Sequence, residues 1–88
     1  MIVARALTIH RTVVTPAERE RWLARARARA RHFQGHGCRY WVFEEQAVPG
    51  AFVEFCEAND AGSLTAAHAA SPDPLPDPAC LHSLVELS

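Results

Sequence analysis

The feature that most restricts the fold is a tight turn at residues 47–50 between two stretches of strand-forming residues. The stretch before the turn, residues 38–46, reads CRYWVFEEQ, and the stretch after it, residues 51–59, reads AFVEFCEAN. Both are dense in aromatic and β-branched residues, and Pro49 with Gly50 suits a tight connection, so we predict a β-hairpin. Because an isolated hairpin is at best marginally stable in water, the rest of the chain must cover one of its faces.

A long helix is predicted before the hairpin. Thr15 can cap its start, Pro16 suits the first helical position, and Glu18 can complete a capping box. Gly35 and Gly37 are expected to end the helix. A helical wheel groups one narrow apolar stripe that would pack on a sheet. Its members are Trp22, Ala26, Ala30 and Phe33.

Four arginines alternate with alanines in the second half of this helix, at Arg25, Arg27, Arg29 and Arg31. A step of two residues turns about 200° around a helix, so these side chains scatter and do not form one basic face. We place Arg25 and Arg29 beside the apolar stripe and the other two away from it. The formal net charge of the chain is -1, so nucleic acid is not an expected partner.

A second helix and two outer strands complete the predicted order. Residues 2–14 are rich in β-branched residues and form the first strand, and residues 80–88, CLHSLVELS, form the last. Asp60 can cap a short helix over residues 61–70, and residues 72–79 form a proline-rich crossover. The order βαββαβ predicts a ferredoxin-like α+β fold, with a four-stranded antiparallel sheet and both helices on one face.

Residues 1–88 fit a single small domain with a limited core, since 49% of the residues are apolar. Cys38, Cys56 and Cys80 are odd in number and lie in strand-like contexts, so we expect reduced thiols. No apolar run approaches the ~20 residues that span a bilayer, and no charged leader precedes an apolar core at the N-terminus. We therefore expect a cytoplasmic protein with no membrane partner.

The turn also predicts which side chains of the hairpin share a face. With four residues in the turn, Phe43 pairs with Glu54 and Trp41 with Cys56, and these four occupy one face. His10 joins them if the alanine and threonine side of the first strand points the same way. We expect this face to lack helices and to be enclosed when two copies dimerise face to face. The residues expected to face the helices are Val42, Val53 and Phe55.

Residues 52–72, FVEFCEANDAGSLTAAHAASP, resemble the third strand, turn and second helix of the dimeric α+β barrel proteins of the antibiotic biosynthesis monooxygenase type. Members of that family often carry Glu-x-Trp on this strand and a histidine at the end of the short helix. Glu54, Cys56 and His68 occupy the corresponding positions. The resemblance implies a homodimer whose sheets meet around a cavity, and a range of activities that includes cofactor-independent oxygenation of aromatic polyketides and haem degradation. Cys56 replaces the tryptophan of the haem-degrading branch, which argues against that activity although His68 matches its iron ligand.

Glu54 is the main candidate for chemistry, because a glutamate in a central strand is costly to bury without a partner. Arg39 on the neighbouring strand, or Arg5 on the first, could supply a positive charge. Glu54 is then either an ion pair that fixes the register of the sheet or dimer, or an acid or base in a cavity. For His68 and Cys56, plain packing is the alternative. The candidate catalytic residues are Glu54, His10 and His68, and the candidate ligand-binding residues are Trp41, Phe43, Phe52, Cys56 and Arg39.

His32, His36 and Cys38 lie close together in the sequence and raise the question of a metal site. Gly35 interrupts the helical turn that would align the two histidines, and no second ligand pair follows at a zinc-site spacing. We therefore expect neither a metal nor a cofactor.

Two functions remain open on the sequence. The first is a small enzyme, similar to a cofactor-independent monooxygenase, that binds an apolar or aromatic metabolite in the barrel. The second is a ligand-binding or structural dimeric barrel without chemistry. A cavity of ~300 Å³ or more with unpaired polar groups would favour the first, and a filled interface with Glu54 already bonded would favour the second.

Overall fold

A four-stranded sheet and two helices make up this computed structural model, which describes residues 5–76 and 80–87. The elements in chain order are β1 (Ala6–Val13), a 3₁₀ turn (Pro16–Glu18), α1 (Arg19–Gly35), β2 (Arg39–Glu44), β3 (Ala51–Ala58), α2 (Ala61–Ala69) and β4 (Leu81–Ser83). The strands lie in the order β2-β3-β1-β4, and each neighbouring pair is antiparallel. The predicted βαββαβ ferredoxin-like arrangement is confirmed.

The last strand, β4, is shorter in the structure than in the sequence prediction. β4 covers three residues, which pair with Ala6–Thr8 of β1, and residues 84–87 continue without regular secondary structure. The prediction of a last strand over residues 80–88 is therefore wrong in its extent. Residues 2–4 of the predicted first strand and residues 77–79 of the predicted crossover lie outside the described residues.

Of the two helix caps predicted from the sequence, the structure contains the one at Asp60 but not the one at Thr15. The Thr15 side chain makes no capping bond to the backbone; its hydroxyl donates to Oε1 of Glu18 at 2.9 Å, and a 3₁₀ turn precedes α1. The capping box predicted there is wrong in its bonds. The Asp60 cap is confirmed, because Oδ1 of Asp60 accepts from the backbone N–H of Ser63 at 2.7 Å.

α1 packs on the sheet through the predicted stripe, with one charged member added. Trp22, Ala26 and Phe33 are buried, and the Trp22 ring stacks on Phe52 with 4.3 Å between ring centroids. Arg29, predicted to flank the stripe, is only 4% exposed. Within the described ranges, neither helix combines the length and apolar character needed to cross a membrane.

The hairpin register is shifted by one residue from the prediction. Phe43 pairs with Val53 and not with Glu54. The backbone N–H of Glu45 donates to the carbonyl of Ala51 at 2.9 Å, so five residues form the turn and not four. Because successive side chains on a strand point to opposite faces, this one-residue difference reverses the predicted faces of β3.

Glu54 and Cys56 therefore lie on the helix side of the sheet, and the prediction that they share a helix-free face with Trp41 and Phe43 is wrong. Val42 faces the helices as predicted, whereas Val53 and Phe55 do not. We call the helix-free side the open face. It is formed by Leu7, Ile9, Arg11, Val13, Arg39, Trp41, Phe43, Val53, Phe55 and Glu57.

Candidate functional site

Glu54 lies in the centre of the sheet, beneath α1, and is 1% exposed. The Nε–H of Arg29 donates to Oε2 of Glu54 at 2.8 Å, and the hydroxyl of Tyr40 donates to the same oxygen. Oε1 is buried and has no hydrogen-bond partner among residues 5–76 and 80–87. Glu54 is thus held by two donors on one oxygen, while the second oxygen is free to accept.

Neither of the two arginines proposed from the sequence is the partner of Glu54. Arg39 lies on the open face and donates through Nε to Glu57 at 2.6 Å, and Arg5 also pairs with Glu57. The real partner, Arg29, comes from α1. Helical periodicity predicted Arg29 at the edge of the buried stripe. Its pairing with Glu54 could not be predicted, because it depends on the register of the sheet.

Both donors to Glu54 keep their protons. Burial and the hydrogen bond to Glu54 raise the pKa of the Tyr40 phenol well above its usual value. Burial alone would lower the pKa of Arg29, but the hydrogen bond and the charge of Glu54 outweigh burial and raise it. At neutral pH Arg29 is therefore a cation and Tyr40 a neutral phenol, and both donate to Glu54.

A cavity of about 170 Å³ opens beside this network, between the sheet, α1 and the crossover that follows α2. His10 and Glu54 are directly paired on β1 and β3 and both line it, so two candidate catalytic residues from the sequence are brought together. The cavity is not the one predicted, because it lies on the helix side of the sheet. Its lining residues are His10, Thr12, Trp22, Arg25, Arg29, Glu54, Pro74, Leu75 and Pro76.

Asp73 lies in the predicted crossover, directly before the crossover residues that line the cavity, and contacts two arginines of that lining. The carboxylate of Asp73 accepts two hydrogen bonds from Arg25, at 3.0 and 2.9 Å, and one from Nη1 of Arg29 at 2.6 Å. The bond to Arg25 is the main cause that lowers the pKa of Asp73. Leu75 is buried in the core and anchors the segment. The sequence held one signal for this contact. Arg25 and Arg29 lie one helical turn apart, and Asp73 lies between two prolines later in the chain.

His68 lies on the buried side of α2 and outside the lining of the cavity. Its Nε2 lies 2.8 Å from Oγ1 of Thr8, and its ring meets Phe33 edge-on at 4.9 Å. Its Nδ1 has no partner in the part of the chain that the structure describes. Burial, followed by the neighbouring His32, lowers the pKa of His68. The structure does not bring His68 together with Glu54 and His10 around one space, and it packs as a neutral core histidine.

Cys56 and Phe52, two of the predicted ligand-binding residues, are part of the core. Cys56 is fully buried, and burial raises the pKa of its thiol to about 12, so almost no thiolate exists at neutral pH. Phe52 is 3% exposed beneath Trp22. In the described ranges, no three His, Cys, Asp or Glu side chains are grouped so that they could hold a metal ion.

The open face carries the remaining predicted ligand-binding aromatics. Trp41 stacks on Phe55 with 5.9 Å between ring centroids, and Phe43 meets Phe55 edge-on at 5.6 Å. Phe43 is 58% exposed and Val13 is 64% exposed. These side chains form an apolar patch on the opposite side of the sheet from the cavity, so they cannot be its walls within one chain.

The fold and the site define a ferredoxin-like α+β domain with a buried charged network beside a small cavity. No protein-family model, no curated protein and no solved structure matches this chain.

Proposed function

We propose that the chain binds a small molecule in the cavity between the sheet and α1, and that Glu54 accepts a proton or a hydrogen bond from it. The observation that carries this proposal is the buried, unpartnered Oε1 of Glu54, a residue that lines the cavity. Buried polar atoms almost always have a partner, and one that lacks it in the free protein is suited to a ligand that supplies it.

The neighbours of Glu54 fit it for proton transfer. Arg29 and Tyr40 fix the carboxyl group through Oε2, so that Oε1 is held in one position. A ligand with an acidic O–H or C–H could give its proton to Oε1, and His10 lies opposite on β1 as a second proton-handling group. The anion left on the ligand would be stabilised by the positive charge of Arg29.

The size of the cavity limits the ligand. A volume of about 170 Å³ is small for a metabolite site, where ~300 Å³ or more is usual, so we propose a compact ligand with a single ring. Trp22 and the prolines of the crossover supply flat apolar walls. An electron-rich aromatic anion in such a site could react directly with dioxygen, as in the cofactor-independent monooxygenases of the family that the sequence resembles.

The proposed assembly is a homodimer formed through the open face. The exposed aromatic and aliphatic side chains on that face form an apolar patch, which a monomer of this size would leave in water. A second copy related by twofold symmetry would cover the same patch on both chains.

A barrel without chemistry is the second candidate function, and one observation favours it. Arg29 and Tyr40 already donate hydrogen bonds to Oε2 of Glu54. A buried ion pair of this kind can have a purely structural role, which here is to hold α1 on the sheet. In that case the cavity beside it is a packing space.

Binding of phenol distinguishes the two candidates, because phenol is a single ring with one O–H donor. We expect phenol in a ¹H–¹⁵N NMR titration to shift amides around the cavity, and Glu54→Gln to weaken binding about tenfold or more, since hydrogen bonds to charged groups contribute about 1.5–3 kcal/mol. Glu57→Gln, the same change on the open face of the same strand, is the control and should bind phenol like the unmodified chain. Equal phenol affinity for the unmodified chain and a folded Glu54→Gln variant, or no binding at all, would contradict the proposal.

A further inference from the structure

Arg25 and Arg29 form a carboxylate-binding cradle at the edge of the cavity. They lie four residues apart on α1, so their side chains project from the same side of the helix. Nε and Nη2 of Arg25 grip the two oxygens of Asp73 at 3.0 and 2.9 Å, the fork geometry that suits a carboxylate. Nη1 of Arg29 adds a third bond at 2.6 Å.

Arg29, one member of the cradle, and Asp73, its occupant, differ in burial. Arg29 is 4% exposed and is fixed from its other side by Glu54, whereas the Asp73 side chain is 32% exposed. Asp73 belongs to a segment without regular secondary structure and directly precedes Pro74, Leu75 and Pro76 of the cavity lining. Arg29 is thus fixed in the scaffold, whereas the Arg25 side chain is 56% exposed, and the carboxylate that binds both arginines comes from a connecting segment.

Charge balance shows what could replace Asp73. The two arginines are balanced by the carboxylates of Glu54 and Asp73. If Asp73 left the cradle, one positive charge would remain without a carboxylate partner beside the cavity. A ligand with a single carboxylate restores the balance with the same bonds.

We infer that Asp73 occupies the place of a ligand carboxylate, and that the cavity takes a small aromatic monocarboxylate whose acid group binds Arg25 and Arg29. This rests on the proposed function for the location of the site and adds the class of ligand. The flat walls of Trp22, Pro74 and Pro76 suit a single ring. The free Oε1 of Glu54 calls for a hydrogen-bond donor elsewhere on that ring, such as a hydroxyl group. Asp73 is then an internal competitor that keeps the site closed until such a ligand arrives.

Benzoate is the probe for the cradle, because it carries the carboxylate and the ring but no donor for Glu54. We expect an NMR titration to show that Asp73→Asn binds benzoate roughly three to ten times more tightly than the unmodified chain, since the competing ion pair is lost. Arg25→Gln should weaken benzoate binding about tenfold or more, because the fork that grips both oxygens is gone. Far-UV circular dichroism verifies that each variant is folded.

Two matched controls distinguish the loss of the Asp73 charge from a weaker attachment of the segment that carries Asp73. Ser71→Ala removes the hydroxyl that accepts from the Asp73 N–H at 3.3 Å, and so loosens the same segment without freeing the arginines. Arg27→Gln is the same arginine-to-glutamine change as Arg25→Gln, at another exposed position of α1. Neither control should change benzoate affinity more than twofold.

The inference is overturned if benzoate binds none of these proteins, if Asp73→Asn gains no affinity, or if Ser71→Ala gains as much as Asp73→Asn. Phenol binding through Glu54 is measured in parallel and needs no carboxylate. Phenol binding without benzoate binding therefore leaves the proposed function standing and removes only the carboxylate class. Benzoate binding that follows the cradle, without phenol binding through Glu54, removes the proposed role of Glu54 and keeps the cradle.

Discussion

Replacing Arg29 with methionine tests how much of the stability depends on the buried pair. The change leaves the carboxylate of Glu54, at 1% exposure, with Tyr40 as its remaining donor. Removing one partner of a buried ion pair destabilises a protein by about 3–5 kcal/mol, because the other charge stays buried. The lost bond to the half-buried Asp73 adds at most about 1 kcal/mol. We therefore expect Arg29→Met to lower the free energy of unfolding by about 4 kcal/mol.

That loss is large for a chain of 88 residues. At roughly 0.05–0.15 kcal/mol per residue, its free energy of unfolding is expected to be about 4–13 kcal/mol, so the expected loss equals the lower end of this range. The double variant Arg29→Met with Glu54→Leu removes both charges and fills the space with apolar groups. It should regain most of the loss, giving a coupling energy of about 3 kcal/mol.

Urea unfolding followed by far-UV circular dichroism measures these differences, with the slope against urea as a test that the unfolded states are comparable. Arg27→Gln, on the exposed side of the same helix, is the control and should stay within about 0.5 kcal/mol of the unmodified chain. The interpretation fails if Arg29→Met stays within that same range, or if the double variant is no more stable than the single one.

Four further outcomes follow from the structure. The free energy of unfolding should fall as the pH drops below 6.5, because the lowered pKa of His68 lets the unfolded chain bind a proton at a higher pH than the folded chain. His68 contributes at most about 1.4 kcal/mol per pH unit to this fall, and His68→Asn should reduce the slope in urea titrations at pH 5–7. Gly50→Ala should cost about 2 kcal/mol or more by thermal unfolding, since Gly50 has φ +91° and an added Cβ would lie 2.5 Å from the Val14 carbonyl oxygen. Light scattering at micromolar concentration should give a dimer mass, and Phe43→Glu a monomer mass; a monomeric unmodified chain would refute the role of the open face. The arginine run of α1 should give no steep salt-dependent affinity for duplex DNA in a fluorescence anisotropy titration.

The element order was predictable because each boundary has a local cause. Pro16, the glycines after α1 and the Asp60 cap act within a few residues of themselves, so their effect can be read without knowing the fold. The extent of β4 was not predictable in this way. It depends on how far β1 extends beside it, which is a contact between the two ends of the chain.

The strands that carry Glu54 and His10 were predicted from the sequence, but the surroundings of these residues were not. The sequence left open whether His10 shares a face with Glu54, and the pairing of β1 with β3 places them together. The face on which they lie depends on whether the turn between β2 and β3 contains four or five residues. Residue propensities do not distinguish these two turn lengths. Arg29 and Asp73 were missed as partners because an ion pair across 44 residues follows from packing and has no sequence period.

The alternating arginines and alanines have a consequence for how α1 settles on the sheet. Because residues 24–31 repeat every two positions, sliding the helix by one turn, about 6 Å, would place Ala26 where Ala30 lies and Arg25 where Arg29 lies. The alanine surface alone is therefore nearly degenerate between these positions. The same slide would move Arg29 into the place of Phe33, deep in the core and away from Glu54. Because Arg25 would then lie beside Glu54, the charge alone does not exclude the slide. The large apolar residues at the two ends of the repeat, Trp22 and Phe33, define the position of α1 on the sheet.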